Sequence, residues 1–186
     1  MDERPYHHGD LYRALLDEAV AMIKERGPTG WSLRELARRV GVSHAAPAHH
    51  FGDKTGVLTA LASEGFEMLA DRNREVREET DSFLEQGVAY VRFAIDYPAH
   101  FEVMFRPDLH HRDDPRLNAA RQTARDQLYA PARATAGSDA ADTWSAGVAA
   151  WALVHGLATL WLNGALPPEL ATDPESVTRH VASHLF

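Results

Sequence analysis

Residues 32–46 read Ser32-Leu33-Arg34-Glu35-Leu36-Ala37-Arg38-Arg39-Val40-Gly41-Val42-Ser43-His44-Ala45-Ala46. Ser32 followed three positions later by Glu35 is a capping box, in which the serine oxygen takes the Glu35 amide and the glutamate reaches back to the serine amide, so a short helix starts near Leu33. Leu36, Ala37 and Val40 share one face of it, and Gly41 can take the positive φ that a tight interhelical turn requires. Ser43 is then expected to cap a second helix. A helix-turn-helix needs a small residue where the helices cross, a turn glycine, an apolar residue after it and a capped second helix. Ala37, Gly41, Val42 and Ser43 meet those needs, although the spacing alone also suits a purely structural helical hairpin.

Outward from this stretch the period remains helical. Upstream, Leu11, Leu15, Leu16, Ala19, Val20, Met22 and Ile23 recur every three or four residues from 10 to about 26, where Gly27-Pro28 closes the helix. Downstream, Phe51-Gly52-Asp53 ends the third helix, and Asp53 caps a fourth that carries Val57, Leu58, Leu61, Phe66 and Leu69 into a charged stretch over 72–82. A fifth helix spans 83–96 before Pro98, and a sixth 99–105. The loop Pro107, Asp108, His110, His111, Asp113, Asp114, Pro115 precedes a polar seventh over 116–135, closed by Ala136-Gly137-Ser138. The eighth covers 139–165 and the ninth 174–186. No strand pattern or repeat interrupts them, so the fold class is all-α, with a three-helix module over 1–56 and six helices over 57–186. The eighth helix has no charged residue from Thr143 to Leu166 and is long enough for a bilayer core of about 30 Å. Ser145, His155, Thr159 and Asn163 interrupt it, and its flanks carry Asp139, Asp142 and Glu169 instead of basic anchors. The expectation is a buried central helix and no membrane.

Composition narrows the function classes. Hydrophobic residues at 45% and charged ones at 25% belong to a folded globular chain. The absence of cysteine excludes disulfides, thiolate metal sites and cysteine nucleophiles, and suits a reducing cytoplasm. Residues 1–9 lack the apolar core of a signal peptide, so export is not expected. The net charge of −8 is unsuited to nucleic acid until it is divided along the chain. Up to residue 56 acids and bases balance, so the whole excess lies beyond, and His7, His8, His44, His49 and His50 add potential positive charge to the first module.

From Tyr6-His7-His8-Gly9-Asp10-Leu11 through the hairpin to His50-Phe51-Gly52-Asp53-Lys54 and Leu58, the sequence resembles the TetR family of transcriptional regulators. Farther on, Tyr90-Val91-Arg92-Phe93-Ala94, the stretch 98–105 and Trp151-Ala152-Leu153-Val154-His155-Gly156 resemble the effector domain type named for its Trp-His-Gly signature. The resemblance implies nine helices, a third helix entering the major groove of double-stranded operator DNA, a homodimer through helices eight and nine, and a cytoplasmic repressor released by a small molecule. Carried onto this sequence, it makes Ser32, Arg34, Ser43, His44, Ala45, His49 and Lys54 the DNA-binding residues. The helix starts at Ser32 and Ser43, with Arg34 and Lys54, would hold phosphates. His44, Ala45 and His49 would face base edges. Two departures stand out. Relatives usually carry a tyrosine at the position of Ala48, where its hydroxyl meets a phosphate, and Pro47 falls at the fourth helical position if Ser43 is the cap, which predicts a somewhat distorted helix.

Phe93, Tyr97, Phe101, Met104, Phe105, Tyr129, Trp151, His155 and Trp161 form an apolar set with few polar tips, suited either to core packing or to lining a ligand cavity. With one histidine and no evident buried cluster of charge among them, they favour an apolar, uncharged or weakly charged effector and disfavour strongly anionic ones. His180 and His184 share a helical spacing that suits a metal, but Val181 stands where a zinc protease needs glutamate, so a structural or dimer-face role is expected. His110, His111, Asp113 and Asp114 read as a solvated loop. No nucleophile elbow, phosphate loop or Glu-His metal motif is present, so neither enzymatic activity nor a cofactor or metal is expected. A helical adaptor that does not bind DNA is the remaining rival.

Overall fold

A computed structural model describes residues 8–135 and 140–183, with side chains for 10–128 and 144–183. Among them the chain forms nine α-helices: α1 His8–Arg26, α2 Leu33–Val40, α3 Ala46–Phe51, α4 Lys54–Thr80, α5 Phe83–Asp96, α6 Pro98–Met104, α7 Pro115–Thr135, α8 Ala140–Leu162 and α9 Pro174–Ala182. A single 3-10 turn, Pro107–Leu109, follows α6. The described residues contain no strand.

Caps written in the sequence set most of the boundaries. Ser32 Oγ accepts the Glu35 amide at 3.3 Å. Gly41, at φ 77°, closes α2 with its amide on the Arg38 carbonyl while the Val42 amide reaches the Ala37 carbonyl, so two of the four carbonyls left open by the helix end are satisfied. Asp53 Oδ1 accepts the Gly56 amide at 2.7 Å and starts α4. The returning half of the Ser32 capping box does not form, because the Glu35 carboxylate is held instead by Arg26 at 2.6 Å and faces Arg39 at 3.8 Å.

Helix α3 corrects a second expectation. Ser43 does not cap it: the Ser43 carbonyl accepts the Ala46 amide in a turn, and the helix begins three residues later with Ala45 at the N-cap. Pro47 therefore sits at the second helical position, where an amide has no intrahelical partner to lose, and it distorts nothing.

One buried cluster runs through the chain, from Leu15, Leu16, Met22 and Ile23 of α1 through Leu36, Val57, Leu58 and Leu61 to Val91, Phe93, Val103, Met104, Leu117 and Ala158. Each such side chain contributes about 1.5–3 kcal/mol by leaving water. Helix α4 is the spine: α3 and α1 pack on its start, and α5, α6 and α7 on its later turns. Helix α8 packs on α5 and α7, and α9 on α5. The expectation that α8 is a buried central helix fails. Trp144–Leu162 is apolar and long enough to cross a membrane by length and composition, yet only 28% of that stretch is buried, with Trp144 61% and Leu160 46% exposed.

Candidate functional site

Around the helix-turn-helix, Ser32, Arg34, Ser43, His44, Ala45 and His49 all lie exposed, and Tyr12 of α1 stacks on Phe51 at 4.8 Å to fix the end of α3. Lys54 differs. Its ammonium donates to the carbonyls of Thr29 and Trp31, both at 2.8 Å, and lies 4.7 Å from the Trp31 ring centroid, so it ties the α1–α2 connection to the head of α4 and keeps a single donor for anything else. Burial pushes its pKa down. The cradle of amides expected near Ser43 is also reduced: the Ala46 amide is engaged, Pro47 has none, and the His49 amide bonds the Ala45 carbonyl, leaving Ala48 as the open donor. At α2, the Leu33 and Arg34 amides precede the first capped donor.

The cations of this module divide into two sets. Arg39 is bound by Glu18 at 3.1 Å and Glu25 at 2.6 Å, Arg26 by Glu35, and Arg13 by Asp17 and Glu64. Arg34 and Arg38, one turn apart on α2, are exposed and meet no carboxylate among the described residues. Arg38 was not among the residues anticipated from sequence. Its exposure one turn beyond Arg34 is the signal that could have found it.

The second feature is a cavity of about 880 Å³ bounded by α4, α5, α7 and α8. Of the anticipated lining residues, Met104, Phe105 and Trp151 reach it. Phe93, Tyr97, Phe101, His155 and Trp161 do not; Tyr129 lies outside the described side chains. Phe93 and Phe101 are core, and Tyr97 and Trp161 lie elsewhere. His155 stands behind the wall. Its ring packs 4.7 Å from Phe105 and 5.2 Å from Phe101, and its Nδ1 is hydrogen-bonded with the Tyr90 hydroxyl at 2.9 Å. Trp151 Nε1 donates to the same Tyr90 oxygen at 3.2 Å. Burial pushes the His155 pKa down and the Tyr90 pKa up, which keeps both groups neutral and this α5–α8 clamp intact.

Sequence reasoning missed Phe66, Leu69, Gln86, Tyr90 and Trp144, which line the same cavity. It also missed Arg121 and Arg125 of α7, so the expectation of a wall without cations is corrected. Among the described residues the wall holds no Asp or Glu.

The 107–115 loop is not simply solvated. His110, 6% exposed, donates from Nε2 to the Val103 carbonyl at 2.7 Å and accepts Arg121 at Nδ1, also at 2.7 Å. The His111 amide donates to Thr59 Oγ1 at 2.9 Å, and His111 Nε2 lies 3.1 Å from Asp53 Oδ1, the cap of α4. A second tie crosses the seam nearby: Glu64 of α4 accepts Arg13 of α1 and lies 3.4 Å from His100 Nε2 of α6. These partners hold the Glu64 carboxyl at about 2, His100 first. Among the described residues no group of three or more His, Asp or Glu side chains is placed to hold a metal. His184 lies outside the described residues.

Residues 15–61 match the family described as bacterial regulatory proteins, tetR family, and residues 83–185 match the tetracyclin repressor-like C-terminal domain. No curated protein sequence matches the chain. Among solved structures, a protein of unknown function from Rhodococcus sp. RHA1 is 32% identical, with a TM-score of 0.81 over 98% of this chain and 96% of that one. The TetR-family transcriptional regulator PfmR from Thermus thermophilus is 20% identical, with a TM-score of 0.70 over 91% and 94%. FadR from Bacillus subtilis, solved with stearoyl-CoA, is 18% identical, with a TM-score of 0.68 over 94% and 100%. With a family match across more than half its length, and with the helix-turn-helix and helical second module that the family implies, this chain belongs to the TetR family of transcriptional regulators.

Proposed function

We propose that the protein is a cytoplasmic, non-enzymatic repressor that binds double-stranded operator DNA as a homodimer through its first module (residues 1–56), and that a small, mostly apolar effector in the second module (residues 57–186) releases it. The observation that carries this reading is the course of α4. Its first turn is tied to the helix-turn-helix by Asp53 and Lys54, and its later turns supply Phe66, Leu69 and Asn73 to the cavity wall. A ligand changes DNA affinity only if it binds one arrangement of the dimer better than the other, and a rigid helix shared by both sites can carry that difference. Ser32, Arg34, Ser43, His44, Ala45 and His49 are the proposed DNA contacts, with Arg38 added; Lys54 acts chiefly by positioning. The stearoyl-CoA complex of the FadR structure supplies a precedent for an acyl ligand in this fold.

The dimer reading rests on α8. Its exposed face carries Ser145, Ala149 and Ala152, Gly156 continues that line with open space around it, and Trp144 and Leu160 stand exposed beside it. Small residues at this spacing let a second helix approach closely, and a two-fold partner would cover the apolar surface with its own copy. We propose α8 and α9 as that interface.

The test is an electrophoretic mobility shift with DNA from upstream of the protein's own gene. A salt-sensitive shift that Arg34→Ala with Arg38→Ala weakens by about thirtyfold is expected. A folded dimer that shifts no such DNA would leave the adaptor reading. Gly156→Leu should yield a monomer by sedimentation and weaken the shift; a dimer unaffected by it would remove α8 from the interface.

A further inference from the structure

The cavity is acid-free among the described residues, although the chain as a whole carries eight excess negative charges. Its walls are Phe66, Leu69, Tyr90, Phe105, Leu128 and Trp151, and its only charged members among those residues are Arg121 and Arg125, one turn apart on α7. Arg125 is exposed. Arg121 is half-buried, with its Cζ 5.7 Å from the Phe66 ring centroid.

What surrounds Arg121 is unusual for an arginine in this protein. Arg116, on the same helix, is neutralised by Glu67 through a two-pronged contact at 2.7 and 2.8 Å. Arg121 has no carboxylate partner among the described residues; its hydrogen bond goes to His110 Nδ1. Because His110 Nε2 is the donor to the Val103 carbonyl, Nδ1 must be the bare nitrogen and the ring must be neutral, so it offers Arg121 a lone pair and no charge. Burial works against both positive charges, lowering the pKa of Arg121 and of His110. A guanidinium held at an apolar wall without a counter-ion is costly, and its planar fork matches a carboxylate in two parallel hydrogen bonds. Two more polar groups stand in the same wall: Gln86, 6% exposed, and Asn73, whose buried Oδ1 has no partner among the described residues.

We propose that the effector is an amphipathic monocarboxylic acid whose head group is held by Arg121, with an aliphatic or aromatic body along the Phe66, Phe105 and Trp151 wall. This rests on the reading of the cavity as the effector site and names the chemistry of its occupant. The carboxylate takes the guanidinium fork in place of His110, and a single carboxylate suits one half-buried arginine where a polyanion would leave charge unmatched.

The test compares two probes of one chain length, dodecanoate below its micelle concentration and 1-dodecanol below its solubility limit, by calorimetry and by quenching of the tryptophans that line the cavity, Trp144 and Trp151. With wild-type protein, dodecanoate should bind more tightly than the alcohol. Arg121→Gln should weaken dodecanoate by about tenfold or more and change dodecanol less than about twofold, the loss expected for a charged hydrogen-bonding pair. Arg121→Lys, which keeps the charge but not the fork, should fall between them and shows that the loss is not one of folding. Equal binding of the two probes, or equal losses of both in Arg121→Gln, would overturn the proposal. Binding of the alcohol alone would leave the cavity as the effector site and refute the carboxylate. Binding of neither would remove the cavity reading, and the proposal with it.

Discussion

The two modules differ in the setting of the arginines that lack a carboxylate. In the helix-turn-helix, Arg13, Arg26 and Arg39 are bound to carboxylates of neighbouring helices, and Lys54 is bound to two backbone carbonyls, so four of the seven cations among its described side chains join α1, α2 and α4 together. In the cavity module Arg72, Arg74, Arg92, Arg106, Arg116 and Arg179 likewise meet carboxylates, while Arg121, inside an apolar wall, has a neutral histidine and the Phe66 ring beside it. The local balance of acids and bases therefore says little about where a phosphate or a carboxylate would be received. What matters is which cations already have partners and where the others stand: Arg34 and Arg38 lie exposed one turn apart on α2, and Arg121 is half-buried at the cavity wall.

Within the second module, the packing of α6 on α4 is the tightest point to disturb. A Cβ at Gly65 would stand 2.6 Å from Met104 Sδ and 3.2 Å from His100 Cβ, so α4 and α6 approach this closely only because residue 65 has no side chain. Gly65→Leu should lower unfolding free energy by about 3 kcal/mol, the upper range for overpacking a tight core. Urea denaturation measures it, and a loss below about 1 kcal/mol would mean that α6 is free to shift against α4, so that the second module is held less rigidly than the packing implies.

The division of cations predicts opposite phenotypes within one module. Arg34→Ala with Arg38→Ala should cost about 2 kcal/mol of DNA affinity for operator and random sequence alike, reduce the salt slope by about two, and leave thermal unfolding unchanged. Arg39→Ala should lower stability while the folded fraction binds DNA normally. If Arg39→Ala instead weakens DNA binding at full foldedness, the assignment of paired and free cations is reversed.

A smaller effect is expected at the Arg13–Glu64–His100 tie. Glu64→Gln should destabilise by about 1 kcal/mol at neutral pH. The Glu64 carboxyl is depressed from 4.5 to about 2, so its contribution is complete above 4.5 and is lost as pH falls from there towards 2. The difference between wild type and Glu64→Gln in urea unfolding should therefore shrink across that window. A difference constant from about pH 6 to about pH 3 would place the stabilisation in packing and not in charge.

The features legible in the sequence are those set by local chemistry. Ser32 and Asp53 accept amides, and Gly41 donates its own to a carbonyl, all within three residues, so their helices start and stop where the sequence indicates, and α5 spans Phe83–Asp96 between Ser82 and Tyr97 as expected. Helix α3 was less legible because Ser43 and a proline at the second helical position are both valid starts, and only the turn closed by the Ser43 carbonyl decides between them. The cavity was legible in kind and not in detail. Phe101 and Phe105 have one chemistry and pack against each other at 5.3 Å, yet only Phe105, at the end of α6, reaches the cavity. Arg121 reads like any arginine on a polar helix until Phe66 and His110 surround it. Likewise the periodicity of α8 says that it is apolar, but whether its partner is the same chain or a second copy is not a property of one helix.

The smallest prediction concerns Ala48, the position where the family resemblance leads one to expect an aromatic, most often tyrosine. Ala48 is exposed, and its amide is the open donor at the start of α3. Pro47 at the second helical position costs the helix no hydrogen bond, so residue 48 should present its side chain as in an ordinary helix of this length. A tyrosine hydroxyl there could reach the same phosphate that the Ala48 amide faces, adding one hydrogen bond worth about 0.5–1.5 kcal/mol, somewhat offset by fixing the ring's rotamer. Ala48→Tyr should thus tighten DNA binding about threefold to tenfold, for operator and random sequence equally, because a phosphate contact carries no sequence information. The gain should fade as salt is raised. A gain confined to the operator would mean that residue 48 faces base edges; no gain at any salt would mean that the start of α3 stands away from the backbone, and that Arg34 and Arg38 of α2 carry the phosphate contacts without it.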